Sequence, residues 1–145
     1  MKLSVNSPRW IVAACALLAG CTQSILTAPL PVLDPGHAAV VVIIRPSVFM
    51  RCGEEVPVML DGRTIFIIDC GKHVLYPVAA GDHVLAVGRQ NWLGVPTVTT
   101  TPVTVMARER LYLRLDPNPM TLKPIPPEEG ERLMTDTLNF LSPAR

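Results

Sequence analysis

Charge is scarce in this 145-residue chain: Asp, Glu, Lys and Arg make up 17% of it, and the signs nearly cancel at a formal +1. No basic stripe able to track a phosphate backbone is present, so a nucleic-acid partner is not expected. Aromatic residues are rarer still, at 5%. No apolar run reaches the roughly 20 residues that a spanning helix needs. The chain contains no Gly-x-Ser-x-Gly elbow, no His-Glu-x-x-His, no Cys-x-x-Cys and no Gly-rich phosphate loop. The usual sequence signs of hydrolase, zinc, thiol-redox and nucleotide chemistry are therefore missing. His37, His73 and His83 lie far apart in sequence, and any metal site would have to be assembled by the fold. The reading from the residues is no catalytic set, no metal and no cofactor. What is plentiful is apolar side chain, 49% of the chain, which places it among folded domains and not disordered ones.

The first twenty residues are of a different kind. Lys2 and Arg9 form a basic start, and Trp10 to Ala19 is an apolar stretch about half a membrane span long. It closes on Leu18-Ala19-Gly20-Cys21. This box resembles the signal of bacterial lipoproteins, with small residues where a peptidase must fit. The resemblance implies that residues 1–20 are removed and that Cys21 becomes the first residue, carrying diacylglycerol and an N-acyl chain. An ordinary secretory signal ending beside a cysteine is the alternative. One acyl chain holds a protein to a bilayer only marginally, at about 0.8 kcal/mol per buried methylene, whereas three on one cysteine hold it stably. The expected partner is thus the membrane, through lipid on Cys21. Thr22 follows the cysteine in place of the Asp that would tend to retain such a protein in the inner membrane, which points to the outer membrane facing the periplasm. Without Lys2 and Arg9 the mature chain, about 125 residues and enough for one core, has a formal charge of −1.

Export also sorts the four cysteines. Cys15 leaves with the signal and Cys21 is lipidated, so Cys52 and Cys70 remain as a pair in a compartment that permits disulfides. They are expected to be bonded. Asp61-Gly62 favours a two-residue type I′ hairpin, because both central positions need positive φ, and folding there brings Cys52 opposite Cys70. A redox or metal role is the less favoured reading, since neither has the spacing such sites use.

Residues 21–37 carry Pro29, Pro31 and Pro35 with little charge. They read as a tether that could reach roughly 40 Å if fully extended. Ile25, Leu26, Leu30, Val32 and Leu33 argue that part of it packs on the domain as an edge segment. From 38 to 125 short strand patterns alternate with turn signals, the layout of an antiparallel sandwich. Ala38 to Arg45 is apolar throughout, as a strand buried on both faces would be. Val56 to Leu60 and Arg63 to Asp69 flank the hairpin, then come His73 to Val78 and His83 to Gly88. Val95 to Met106 is a long strand that Pro96 and Pro102 interrupt or push to an edge. In Arg110 to Leu115 the pattern puts Leu111, Leu113 and Leu115 inward and Arg110, Tyr112 and Arg114 on a wet outer face. Thr121 to Ile125 is a last strand. In 126–145, Pro126-Pro127 and the acidic Glu128, Glu129 and Glu131 begin a helix running to Leu141, with Met134, Leu138 and Leu141 on one stripe.

Val40 to Pro46, Val58-Met59-Leu60-Asp61-Gly62, Ala80-Gly81-Asp82-His83-Val84-Leu85 and Leu111-Tyr112-Leu113 together resemble a family of bacterial envelope lipoproteins known only as a domain of unknown function. They are similar, too, to PEGA-type surface-layer domains. The resemblance covers about Ala38 to Leu133 and implies a transthyretin-like or immunoglobulin-like sandwich; its motifs are turns and strand ends and imply no catalytic residue. Trp92 on a Gly-flanked loop and the pair Phe49-Met50 are the candidates for binding. Plugging the ends of the sandwich is the reading we favour for them. The functional expectation is a lipid-anchored structural or binding module with an envelope protein as partner, and the alternative is a small envelope enzyme whose site is built from loops.

Overall fold

The structure is a computed structural model that describes residues 24–48, 51–90 and 94–141. Within them the chain forms β1 (Ile25–Leu26), β2 (Ala38–Arg45), β3 (Val56–Leu60), β4 (Arg63–Ile68) and β5 (Lys72–Ala79). It continues through β6 (Gly81–Gln90), β7 (Pro96–Val105), β8 (Arg110–Pro117), β9 (Met120–Pro124), α1 (Pro127–Thr135) and β10 (Leu138–Asn139). Two five-stranded sheets, β1-β4-β3-β6-β7 and β10-β5-β2-β8-β9, stack as a sandwich. The first sheet is wholly antiparallel. The second is mixed, because β8 runs parallel to β2 and β10 parallel to β5, a departure from the all-antiparallel expectation: β8 enters after the chain crosses from the first sheet, and β10 after α1 carries it from β9 to the opposite edge of the same sheet.

The hairpin at Asp61-Gly62 forms as its sequence requires, with φ of 49° and 80° at the two central residues. Leu60 pairs with Arg63 and Met59 with Thr64, after which a bulge shifts the register so that Val58 faces Phe66. The extra residue brings Ile65 and Phe66 both into the core, at 5% and 0% exposure. Cys52 and Cys70 are bonded with Cα atoms 5.0 Å apart. In the chain-entropy account a loop of this length stabilises the fold by about 3 kcal/mol.

β2 is buried on both faces. Ala39, Val41 and Ile43 belong to the main core between the sheets, while Val42 and Ile44 join Tyr112 in a second cluster on the outer face. Leu113 and Leu115 point inward and are buried. The outer face of β8 is covered, contrary to expectation: Tyr112 is only 4% exposed. The cover is α1, whose Leu133 and Met134 pack on the second cluster, with the Tyr112 hydroxyl bonded to Glu131. Arg114 pairs with Glu129 at 2.7 Å and with Asp116 at 2.8 Å along the same seam.

Gly130 is the point of closest approach. A Cβ there would overlap Tyr112 Cδ1 and lie 2.5 Å from its Cγ. Gly130→Ala, which in an exposed helix gains about 1 kcal/mol from propensity, is expected here to destabilise by about 1–3 kcal/mol as the helix is lifted from the ring. Chemical denaturation reads the sign.

The helix ends at Thr135 and not at Leu141. Past it, Leu138 N donates to Gly71 O at 2.9 Å and Phe140 N to His73 O at 2.8 Å, so the chain completes the free edge of β5. Leu138 is 66% exposed, and the apparent stripe dissolves; Phe140 and Leu141 pack on the main core instead. β7 is continuous through Pro102 and lies at a sheet edge. Val84 on β6 directs both backbone groups to Asp61, its carbonyl accepting from the Asp61 N–H and its N–H donating to the Asp61 carboxylate, so by alternation the even residues of β7 direct their backbone polar groups to the open edge. Pro96 and Pro102, both even, place their missing N–H groups where no partner strand needs them.

The expected tether is pinned within four residues. Ser24 Oγ accepts from Asp69 N at 3.0 Å, Ile25 and Leu26 pair with Ile67 and Phe66, and Thr27 N reaches Ile65 O at 3.1 Å. The free edge of β4 offered unpaired backbone groups, which this segment satisfies. Its side chains stay half exposed, Ile25 at 49%.

Candidate functional site

Of the residues singled out from the sequence, Cys21, Phe49, Met50 and Trp92 lie outside the described residues. Cys52 and Cys70 come together as expected. They close the loop between β2 and β3, and a residue that the sequence did not mark holds that loop from beneath. Arg45 ends β2 at 5% exposure. Its Nη1 donates to Ile68 O at 2.6 Å and Glu54 O at 2.7 Å, and its Nη2 to Arg51 O at 2.8 Å. Burial pulls the guanidinium pKa down and the charges of Asp69 and Glu54 pull it up, with a net lowering. Three carbonyls from two segments are thus tied to one planar cation, which suits the fixed fork of an arginine.

Glu54, whose carbonyl the clamp holds, also borders the outer face of the first sheet. There a cleft of about 600 Å³ is floored by Pro57, Met59, Ile67 and Val98, with Glu54 and Arg89 at its margin. Gly88 belongs to that floor because Pro57 and Met59 fold across it: a Cβ would sit 2.9 Å from Pro57 Cγ and 3.2 Å from Met59 Cε. The Arg89 Nε is buried and has no hydrogen-bond partner among the described residues. While α1 covers the outer face of the second sheet, no described helix covers this one. An apolar floor with one cation and an acidic margin can hold an extended aliphatic ligand or peptide, and it offers no positioned acid or base.

A second cluster lies at the opposite end of the sandwich, beside a cleft of about 280 Å³. Asp61 Oδ1 accepts from Val84 N at 2.9 Å, and its Oδ2 meets His83 Nδ1 at 2.8 Å. His83 Nε2 donates to Ala79 O at 2.9 Å. Nearby, Thr104 Oγ1 donates to Asp82 Oδ1 at 2.6 Å. Both ring nitrogens of His83 face acceptors, an arrangement that suits the imidazolium. Burial pulls its pKa down, but the Asp61 bond, the Ala79 carbonyl and the charges of Asp61 and Asp82 outweigh it, leaving the pKa above the ordinary 6.5. For Asp61 the Val84 amide acts most strongly, and the carboxyl falls below 3.8 despite burial. From the sequence, Asp61 reads as a turn residue and His83 as one of three histidines far apart. The bond between them depends on β3 and β6 being neighbours, which no local pattern shows.

A pH dependence follows. The contribution of His83 is fully present below its unfolded value near 6.5 and is lost as pH rises through the raised folded value. That of Asp61 is present above 3.8 and is lost as pH falls through the lowered one. His73, buried beside Thr137 at 2.7 Å, is shifted downward mainly by burial, so its contribution runs the other way and is lost on acidification. His83→Gln should therefore destabilise the domain at pH 6 and have a shrinking effect toward pH 9, read by urea unfolding of both proteins across that range.

Among the described residues no group of three His, Cys, Asp or Glu side chains could hold a metal ion, and no helix is long and apolar enough to cross a membrane. Comparison with protein-family models, with curated proteins and with solved structures gave no match to this chain.

Proposed function

We propose that this chain is a lipid-anchored cell-envelope protein whose sandwich acts as a structural or binding module, seated in the outer membrane and facing the periplasm. The observation that carries the reading is Leu18-Ala19-Gly20-Cys21 behind a short apolar run with Lys2 and Arg9 before it. Two further features support it. The bonded Cys52 and Cys70 suit an oxidising compartment. The uncovered cleft over Pro57, Met59 and Gly88 gives a binding role a place on the molecule, with an envelope protein as partner. The resemblance of the hairpin and strand-end motifs to envelope lipoproteins points the same way.

A second reading, a small envelope enzyme, draws on the Asp61 and His83 pair with its raised histidine pKa. Against it, both nitrogens of that imidazole are already engaged by Asp61 and Ala79, and the neighbouring Thr104 hydroxyl is spent on Asp82. The binding module is the better account. Cys21→Ser is expected to release the protein into the soluble export fraction or leave it unprocessed, and to abolish labelling by a fatty-acid probe; labelling that persisted would sink the reading.

A further inference from the structure

The position at which the first strand begins bears on how the domain stands on its membrane. Ser24 is bonded to Asp69, Ile25 faces Ile67 and Leu26 faces Phe66, so the chain is fixed to β4 from Ser24 onward. Only Thr22 and Gln23 separate Ser24 from Cys21. Three Cα steps span at most about 11 Å. Whatever path these residues take, the lipidated Cα is within that distance of the Ser24 Cα.

Ser24 stands at one particular end of the sandwich. Asp69 follows the last residue of β4, and that end gathers the bonded Cys52 and Cys70, the Arg45 clamp, Val48 and the close of β8 at Pro117. The strand pairings bring the Gln90 end of β6 and Pro96 there as well. Asp61-Gly62, Gly81 and Met106 occupy the other end, about 30 Å away along the ten residues of β6. Both ends expose apolar and charged side chains, so the short span from Cys21 to Ser24, and not surface composition, selects the end that faces the membrane. The end that holds Ser24 exposes Val48 and Val95, by 39% and 51%, together with Glu54 and Glu55. The far end exposes Val84 and Met106, by 45% and 70%, beside the charged cluster of Asp61, Asp82 and His83 with Arg108 and Glu109.

We propose that the Cys52–Cys70 end of the sandwich is a membrane-docking surface, held against the lipid headgroups by the short span between Cys21 and Ser24, with the Asp61 and His83 end projecting into the aqueous space. This inference rests on the lipid-anchor reading of Cys21. Its partner is the lipid surface that bears the protein's own acyl chains. The long tether suggested by the prolines between Thr22 and Gly36 is no spacer, because its first described residues are already part of a sheet. The cleft over Pro57 and Met59 is then a lateral site, reached from the side near the bilayer, since Glu54, Arg89 and Pro96 on its margin belong to the docked end.

The test uses the mature acylated protein in vesicles of phosphatidylethanolamine and phosphatidylglycerol containing brominated phosphatidylcholine. In a Trp92→Phe background, Val48→Trp and Met106→Trp each give one fluorophore at an exposed position at either end. Val48→Trp is expected to be quenched several-fold more than Met106→Trp. A long Gly-Ser insertion between Gln23 and Ser24, able to lift the domain by about 20 Å, should erase the difference while the protein still floats with the vesicles. This insertion leaves every residue of the domain unchanged, so its effect cannot come from misfolding. Equal quenching at both positions in lipidated, vesicle-bound protein would overturn the docking and leave the anchor standing. Protein whose mass lacks acyl chains would overturn the anchor and the docking together.

Discussion

Arg45→Ala is expected to lower the unfolding free energy by about 3–5 kcal/mol, among the largest effects open to a single substitution here. The guanidinium serves the carbonyls of Ile68, Glu54 and Arg51 at 2.6 to 2.8 Å, and alanine leaves all three without their donor at a buried strand end. Each orphaned acceptor costs about 1–3 kcal/mol unless water reaches it. Water can enter on the loop side, at Arg51 and Glu54, more readily than at Ile68, which is 0% exposed. Arg45→Lys should recover only part of the loss, because an ammonium lacks the planar fork that spans two segments. Equilibrium unfolding in urea measures both, and limited proteolysis of the 46–55 loop should quicken in parallel. An alanine variant as stable as the parent would mean that the disulfide alone holds the loop.

Leu113→Ala is expected to cost about 2–5 kcal/mol, since Leu113 is 0% exposed in the main core and the cavity left behind cannot collapse between two sheets. Leu115, at 2% exposure, should behave alike, while half-buried Leu111 should fall at the low end. Arg110→Ala and Arg114→Ala should each cost less than about 1 kcal/mol. Arg110 pairs with Glu131 at 3.3 Å and is half exposed; Arg114 bridges Glu129 and Asp116 but remains in contact with solvent. Thermal or urea unfolding of the five variants tests the inward and outward assignment of β8 directly. A loss at Arg114 equal to that at Leu113 would overturn it.

Much of this architecture is legible along the chain because it depends on near neighbours. Ala38 to Arg45 announces a doubly buried strand, and β2 has those bounds. Asp61-Gly62 announces its turn, and from that turn the pairing of Cys52 with Cys70 follows by counting, even with the bulge at Val58 shifting the register by one residue. Alternation in Arg110 to Leu115 names the inward leucines correctly. Its outer face was misjudged because Tyr112 between two arginines reads as wet; α1 pairs those arginines with Glu129 and Glu131 and buries the ring between them.

The candidate sites were far less legible. Arg45 reads as a charge that merely ends a strand, since its acceptors are carbonyls, which carry no side-chain signal. The cleft depends on Gly88 lying beneath Pro57 and Met59, two strands that meet only through the β3 and β6 pairing. Asp61 and His83 are bound across that same boundary.

The amino-acid order by itself determined the strands, the Asp61-Gly62 turn, the disulfide partners and the two-sided burial of β2, because each follows from backbone preference or two-residue alternation over a short span. Tertiary structure alone decided where the first and last described segments go. The Ser24–Thr27 segment joins β4, the helix stops at Thr135, and Leu138 and Asn139 extend β5. In each case an open sheet edge presents unpaired N–H and C=O groups, and satisfying them outweighs the weak local preference of a few residues.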